Sequence, residues 1–186
     1  MNKLIILLVC ILLSGCASNS QTLTSAWLKK DVKVRLPAVT LSHDINKQQL
    51  LTAKVGNKTG SLITLLEVKD GRVVLMGLST MGIRLFEATY DGQSIQVEKY
   101  ITLLDLPPAN QVLADIMLSY WPVKAWQNLL PNEWQLLDKG NKRLLIDDNQ
   151  QVISEITYKQ SSGEREPITI KNNYFNYFIS IQDMEE

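Results

Sequence analysis

The sequence predicts a mainly β chain with one helical insertion, an α+β fold built from about ten or eleven antiparallel strands. Three observations carry this prediction. Short runs rich in branched aliphatic and aromatic residues follow one another closely, and Asp70-Gly71 and Asp91-Gly92 stand between apolar runs, the strongest short-range hairpin signal. From Asp105 to Pro131 that rhythm breaks, and apolar residues recur at helical spacing instead. Several runs are also apolar on both faces, so neither surface of the sheet is marked as the wet one.

The chain opens on a different signal. Lys3 precedes an unbroken apolar run, Leu4 to Leu13, followed by Ser14-Gly15-Cys16. The run matches the apolar core of a secretory leader and is too short for a bilayer, which needs roughly 20 apolar residues. Leu13-Ser14-Gly15-Cys16 resembles the bacterial lipobox. That resemblance implies a diacylglycerol on the sulfur of Cys16, cleavage before it and acylation of the new amino terminus. The expected division is residues 1–15 as signal peptide, 16–26 as lipidated cysteine and flexible tether, and 27–186 as one domain. Segment 17–25, ASNSQTLTS, is uncharged and mostly small and polar, as a tether requires. Cys10 would leave with the leader and Cys16 would become a thioether. The mature chain would then hold no free thiol, which excludes cysteine nucleophiles and Cys-ligated metals. By the sorting rule of such lipoproteins, Ala17 rather than Asp after the cysteine implies the periplasmic face of the outer membrane.

Removing 15 of 186 residues leaves 171, enough for one domain with a sizeable core. The leader takes one of 19 basic side chains, leaving 18 against 19 acidic ones. A balance so near neutral offers nucleic acid no electrostatic footprint.

The strands expected from the pattern begin with DVKVRLPAV and QLLTAKVG, then Ser61 to Val68, Arg72 to Leu78, Ile83 to Tyr90 and Ser94 to Tyr100. After Pro131 come Trp134 to Leu137, Lys142 to Ile146, Val152 to Tyr158, Pro167 to Lys171 and Tyr174 to Ile181. Turns are expected at Lys139-Gly140-Asn141, Asp147 to Gln150 and Ser161-Ser162-Gly163. In the insertion, Asp105 is a candidate cap and Pro107-Pro108 a helix entrance, where a missing N–H costs little. Pro122 stops the first helix, and Val123 to Leu130 reads as a second short one. In RVVLMGL, Val74, Met76 and Leu78 face one way and Val73 and Leu75 the other. At about 100° per residue the first helix carries an apolar arc of roughly 240°, interrupted by Asp115 and Ser119. A surface helix needs a stripe of little more than about 100°. The helix is therefore packed on two sides by protein or has one side against an apolar ligand.

GLSTMGIRLFEATYDG (Gly77 to Gly92) and LPPANQVLADIMLSYWP (Leu106 to Pro122) resemble an uncharacterised family of bacterial outer-membrane lipoproteins, often encoded beside aryl-polyene or fatty-acid-like biosynthesis genes. The architecture resembles that of LolA and LolB, the periplasmic carrier and outer-membrane receptor of lipoproteins. This implies an open, strongly curved antiparallel half-barrel with helices covering an apolar concave face that takes acyl chains. On that implication Phe86, Leu113, Met117, Leu118 and Trp121 are the candidate cavity or lid residues. LolB also carries a protruding loop with an apolar tip that meets the membrane, and here Leu78 and Met81, in the turn Gly77 to Gly82, are its candidates.

Enzymatic machinery is not apparent. His43 is the sole histidine, no HExxH or G-x-S-x-G motif occurs, and no metal-ligand cluster or cofactor motif is present. Asp147-Asp148 and the Glu164–Glu166 pair both read as turn or loop carboxylates. Asp115 reads either as a solvent-facing carboxylate on the polar strip of its helix or as a contact for Arg84 or a ligand's polar head. The expectation is a non-enzymatic, lipid-anchored module that binds or transfers an acyl-chain ligand (a lipoprotein acyl group, a phospholipid or a polyene lipid). The competing expectation is a structural docking lipoprotein for an envelope transport or biosynthesis complex.

Overall fold

The structure is a computed structural model that describes residues 19–23, 25–101, 108–161 and 164–184. Cys10, Cys16, the leader, the cap Asp105, Pro107 and the Ser162-Gly163 turn lie outside the described residues. Before the insertion the strands are β1 (Asn19–Leu23), β2 (Ala26–Lys29), β3 (Val32–Val34), β4 (Ile45–Val55), β5 (Lys58–Lys69), β6 (Arg72–Leu78), β7 (Arg84–Tyr90) and β8 (Ile95–Lys99). Two helices follow, α1 (Ala109–Tyr120) and α2 (Val123–Trp126). The last strands are β9 (Gln135–Lys139), β10 (Lys142–Ile146), β11 (Val152–Ser161), β12 (Glu164–Asn172) and β13 (Tyr177–Asp183).

Eleven strands form one open sheet in the order β1-β8-β7-β6-β5-β4-β13-β12-β11-β10-β9, while β2 and β3 pair separately. Every neighbouring pair is antiparallel. Two meanders, β4 to β8 and β9 to β13, are fused where the last strand meets the first of the other set, Tyr177 opposite Val55 and Asp183 opposite Gln49. This long-range pairing closes one continuous core across most of the chain.

Turn chemistry sets the hairpins. Asp70 and Gly71 both take positive φ, 50° and 73°, the twist that a two-residue hairpin turn needs. At the β7–β8 turn Asp91 Oδ1 accepts the backbone N–H groups of Gln93 and Ser94 at 2.8 and 2.7 Å. Two departures from expectation stand out. Asn19–Leu23, within the expected tether, runs as a strand along β8, so ordered chain begins before Trp27. The second helix spans Val123–Trp126 and continues as turns, with Leu129 and Leu130 N–H both donating to the Trp126 carbonyl.

The two-faced strands resolve as follows. Val68, Val73, Leu75, Ala88 and Tyr90 point into the core. On the other face Ile63 lies opposite Leu78 and Leu65 opposite Met76, all half-buried, so an aliphatic strip forms across β4, β5 and β6 on the outside of the sheet. Such side-by-side pairs stabilise a sheet by roughly 0.2–1 kcal/mol each.

α1 starts after Pro108 without a side-chain cap and stops at Trp121, which is extended because Pro122 follows. All residues from Ala109 to Ser119 are buried. The helix packs against β2, β7, β8 and β12, which answers the wide apolar arc: both sides meet protein. Trp121 Nε1–H donates to the Ala38 carbonyl at 3.0 Å and Asn110 to that of Ser25 at 3.2 Å, so the segment between β1 and β4 is strapped to both ends of the helix.

Gly77 is where the inner face of β6 admits a large neighbour. A Cβ there would enter the space of Cε1, Cζ and Cδ1 of the Phe86 ring, its cross-strand partner. Gly77→Ala is expected to lower stability by about 1–3 kcal/mol through overpacking. Urea unfolding checks this, with Gly77→Ala/Phe86→Leu expected to recover much of the loss.

Candidate functional site

All five residues expected to line a cavity or lid are core residues. Leu113, Met117, Leu118, Trp121 and Phe86 are buried. None of them lines either of two cavities that the described residues form, a groove of about 680 Å³ beside Leu50, Ile168 and Met184 and a recess of about 550 Å³ at the carboxyl end of α1. Leu78 is half-buried on the outer face, whereas Met81 is 81% exposed at the tip of its hairpin. Ser79 shapes that tip, its Oγ accepting the N–H groups of Met81 and Ile83.

The recess is the more elaborate of the two cavities. Its walls come from Leu41, His43, Ile45 and Lys47 before and within β4, Tyr120 and Pro122 at the end of α1, and Arg143, Tyr158, Arg165 and Glu166 from β10 to β12. Arg143 occupies an inward position on β10, two residues before buried Leu145. Its Nη1 donates to the carbonyls of Leu118 and Trp121 at 2.8 and 2.6 Å. Helix ends leave their last carbonyls unpaired, and a buried guanidinium satisfies them while complementing the negative end of the helix. Its Nε and Nη2 grip Asp138 at 2.8 and 3.0 Å. The Arg143 hydrogen bond, joined by Arg165, holds the Asp138 carboxyl below its usual range.

Tyr158 forms the floor. Its hydroxyl donates to the Ser119 carbonyl at 2.8 Å and the Arg165 guanidinium lies 4.1 Å from its ring centroid. Burial pushes the phenol up to about 12. At the rim Glu166 meets Lys47 at 3.0 Å and Lys159 at 3.3 Å, and the Lys47 hydrogen bond keeps its carboxyl low. Tyr120 Oη accepts from Gln49 Nε2 at 3.1 Å. The recess thus combines aliphatic and aromatic walls with three cations against one carboxylate among its lining residues. His43 sits on its edge, exposed, with Nδ1 3.1 Å from Ser42 Oγ.

Asp115 differs from expectation. Rather than facing solvent it is 2% exposed, and its partner is not Arg84, which pairs with Glu87 on the surface. Tyr177 Oη donates to Asp115 Oδ2, and Asn172 Nδ2 lies 3.4 Å from the same hydroxyl. Asp115 Oδ1 has no hydrogen-bond partner among the described residues, nor have Trp126 Nε1 and Ser154 Oγ. Desolvation raises the Asp115 carboxyl to about 7, against the opposing pull of Tyr177 and Gln111. Of the other carboxylates singled out by sequence, Glu166 lines the recess from β12 rather than standing in a loop, and Asp147 is structural. Burial opposes the Asp147 charge, but Lys29 at 2.9 Å and the N–H groups of Asn149 and Gln151 still hold it low. No group of three or more His, Cys, Asp or Glu among the described residues is placed to hold a metal ion.

An open antiparallel sheet packed on a buried helix, with a mixed apolar and cationic recess at the helix end, defines the class of molecule. Residues 46–185 match the family described as "Protein of unknown function (DUF3261)", and the chain belongs to that family. Its membership of an uncharacterised family agrees with what Gly77 to Gly92 and Leu106 to Pro122 suggested. No curated protein matches the chain.

Because the Asp115 carboxyl is neutral to higher pH in the folded protein than in the unfolded chain, the folded state binds more protons between pH 4 and 7. Stability from this group is therefore greatest below about pH 4 and falls as pH rises to about 7, by on the order of 4 kcal/mol for three pKa units. Asp115→Asn keeps an acceptor for Tyr177 and is expected to remove that slope. Urea midpoints of both proteins at pH 5 and pH 8 measure it: the variant should gain on the parent at pH 8.

Proposed function

We propose that this chain is a lipid-anchored binding or transfer module at the periplasmic face of the outer membrane, and that its ligand is an acyl-chain amphiphile received in the recess at the end of α1. The recess carries this reading. Its volume, about 550 Å³, lies within the range of small-molecule sites, roughly 300–1,000 Å³. Its aliphatic and aromatic walls suit acyl chains, and Lys47 and Arg165 stand where a polar head would emerge. Burial of chain surface, at about 25 cal/mol per Å², would drive uptake. A curved, LolB-like sheet is supported by α1 itself. One 12-residue helix meets β7 and β8 as well as β12, which lies five and six positions from them in the sheet order.

Acylated Cys16 would be the anchor, and Met81, with Leu78 behind it, the loop that meets the membrane. No catalytic role is assigned: Ser42 and His43, whose Oγ and Nδ1 lie 3.1 Å apart at the recess edge, are both exposed surface residues. The docking alternative, a scaffold for envelope transport or biosynthesis proteins, draws support from the packed interior around Leu113, Met117 and Trp121.

Native mass spectrometry of the full chain, extracted mildly from bacterial membranes, tests the two readings. The expected result is co-purifying lipid displaced stoichiometrically by a fluorescent fatty acid. Leu41→Asp, which alters a half-buried recess wall rather than the core, should weaken that probe at least tenfold with folding intact. An apo protein that takes up no probe, or a Leu41→Asp variant that binds as the parent does, would leave docking as the better account. Aspartate at Met117 or Trp121 would test folding rather than binding, since both are fully buried.

A further inference from the structure

An antiparallel sheet sorts its connections between two ends. One end holds the start of β1, the exit of β8 and the turns joining β4 to β5, β6 to β7, β10 to β11 and β12 to β13. The other holds the turns joining β5 to β6, β7 to β8 and β9 to β10, and the start of β4. Exposed large apolar side chains are not shared evenly between them. Among the described residues eight are exposed, and six of these, Val55, Met81, Ile83, Tyr100, Tyr174 and Phe178, lie at the first end. Met184 alone lies at the second, where Asp70, Arg72, Asp91 and Lys139 occupy the turns, and Leu137 is within an edge strand. Single exposed apolar residues scattered over a surface need no explanation, but several gathered on one side mark a contact.

The start of the chain points the same way. Asn19 is opposite Lys99, Lys99 opposite Phe86 and Phe86 opposite Gly77, so the beginning of β1 shares a row with the base of the Met81 hairpin. Cys16 precedes Asn19 by three residues, which reach about 11 Å at full extension. Arg84 lies 5.4 Å from the Tyr100 ring, and Lys54 and Lys99 are exposed at the same end of the sheet. Aromatic rings and long cations of this kind sit well at the boundary of a bilayer.

We infer that this end of the sheet rests on a lipid surface, with the tips around Met81 and Tyr174 in the headgroup layer and the recess turned away from it. The leash argument rests on the reading of Cys16 as the acylated residue. The sorting of apolar tips is independent of it.

Depth measurement tests the inference. The full chain is reconstituted into phosphatidylethanolamine–phosphatidylglycerol vesicles as Met81→Cys, Tyr174→Cys and Asp70→Cys variants, each labelled with a polarity-sensitive dye. Doxyl-labelled lipid is expected to quench the dye at 81 and 174 several-fold more than at 70. Equal quenching at all three, or stronger quenching at 70, overturns it. The parent chain separates this from the anchor: dye on the parent shows a free thiol and sinks the Cys16 reading. The contact is then judged from the quenching at 81 and 174 in excess of the parent's. Vesicles that fail to retain the chain overturn both.

Discussion

The structure depends on burying α1 completely. From Ala109 to Ser119 no residue is left to solvent, so every polar group on that stretch needs a protein partner. Its last carbonyls are the sharpest demand, and Arg143 and Tyr158 meet it from β10 and β11. Asp115 is the second demand, met in part by Tyr177 from β13. Both solutions come from the carboxyl-terminal meander, which explains why β13 must pair with β4: that pairing brings the polar clamps and the aliphatic wall of β5 to β8 to one helix. An inward arginine on a strand is costly unless every donor is used, and removing one partner of such a buried pair typically costs about 3–5 kcal/mol.

The recess follows from the same constraint. Arg143 and Tyr158, committed to the last carbonyls of α1, both line the cavity. Arg165 stacks on the remaining ring face, and the segment from Thr40 to Lys47 forms the far wall. The cavity is thus bounded by groups already committed to structure, and its polarity is inherited from them. Its charges are paired among themselves, with Asp138 shared by Arg143 and Arg165 and Glu166 shared by Lys47 and Lys159. A guest with an anionic head would compete with those carboxylates, whereas its apolar part would only displace water.

Strand periodicity made the sheet legible in the sequence. Arg72–Leu78 and Lys142–Ile146 fall where the pattern put them, because tight turns and alternation act over a few residues. Asn19–Leu23 was not legible: ASNSQTLTS has tether composition, and only the exposed edge of β8 makes it a strand. The helix arc was read correctly as needing cover on two sides, but periodicity cannot say whether that cover is protein or ligand, and here it is protein. Asp115 looked like a wet strip because a lone carboxylate usually is one. Its partner Tyr177 lies 62 residues away, beyond any local pattern. His43 was noted only as the sole histidine and Glu166 only as a loop carboxylate, and the other recess residues went unremarked for a similar reason. Only Arg143 carried a signal, a cation at the same strand parity as Leu145.

The outer face of the sheet completes the account of the doubly apolar strands. Ile63, Leu65, Met76 and Leu78 do not serve the core. They cover one another, and the strip runs along β6 toward the Met81 hairpin. A sheet apolar on one face alone would give that hairpin a polar base. With Leu78 and Ile63 directly opposite each other at its root, the exposed tip continues into a greasy surface instead of ending at it. At the other end of the same strands, Asp70-Gly71 and Arg72 close the β5–β6 turn with charge. The two-sidedness that obscured which face was inside therefore reflects a difference between the ends of the strands as much as a difference between their faces.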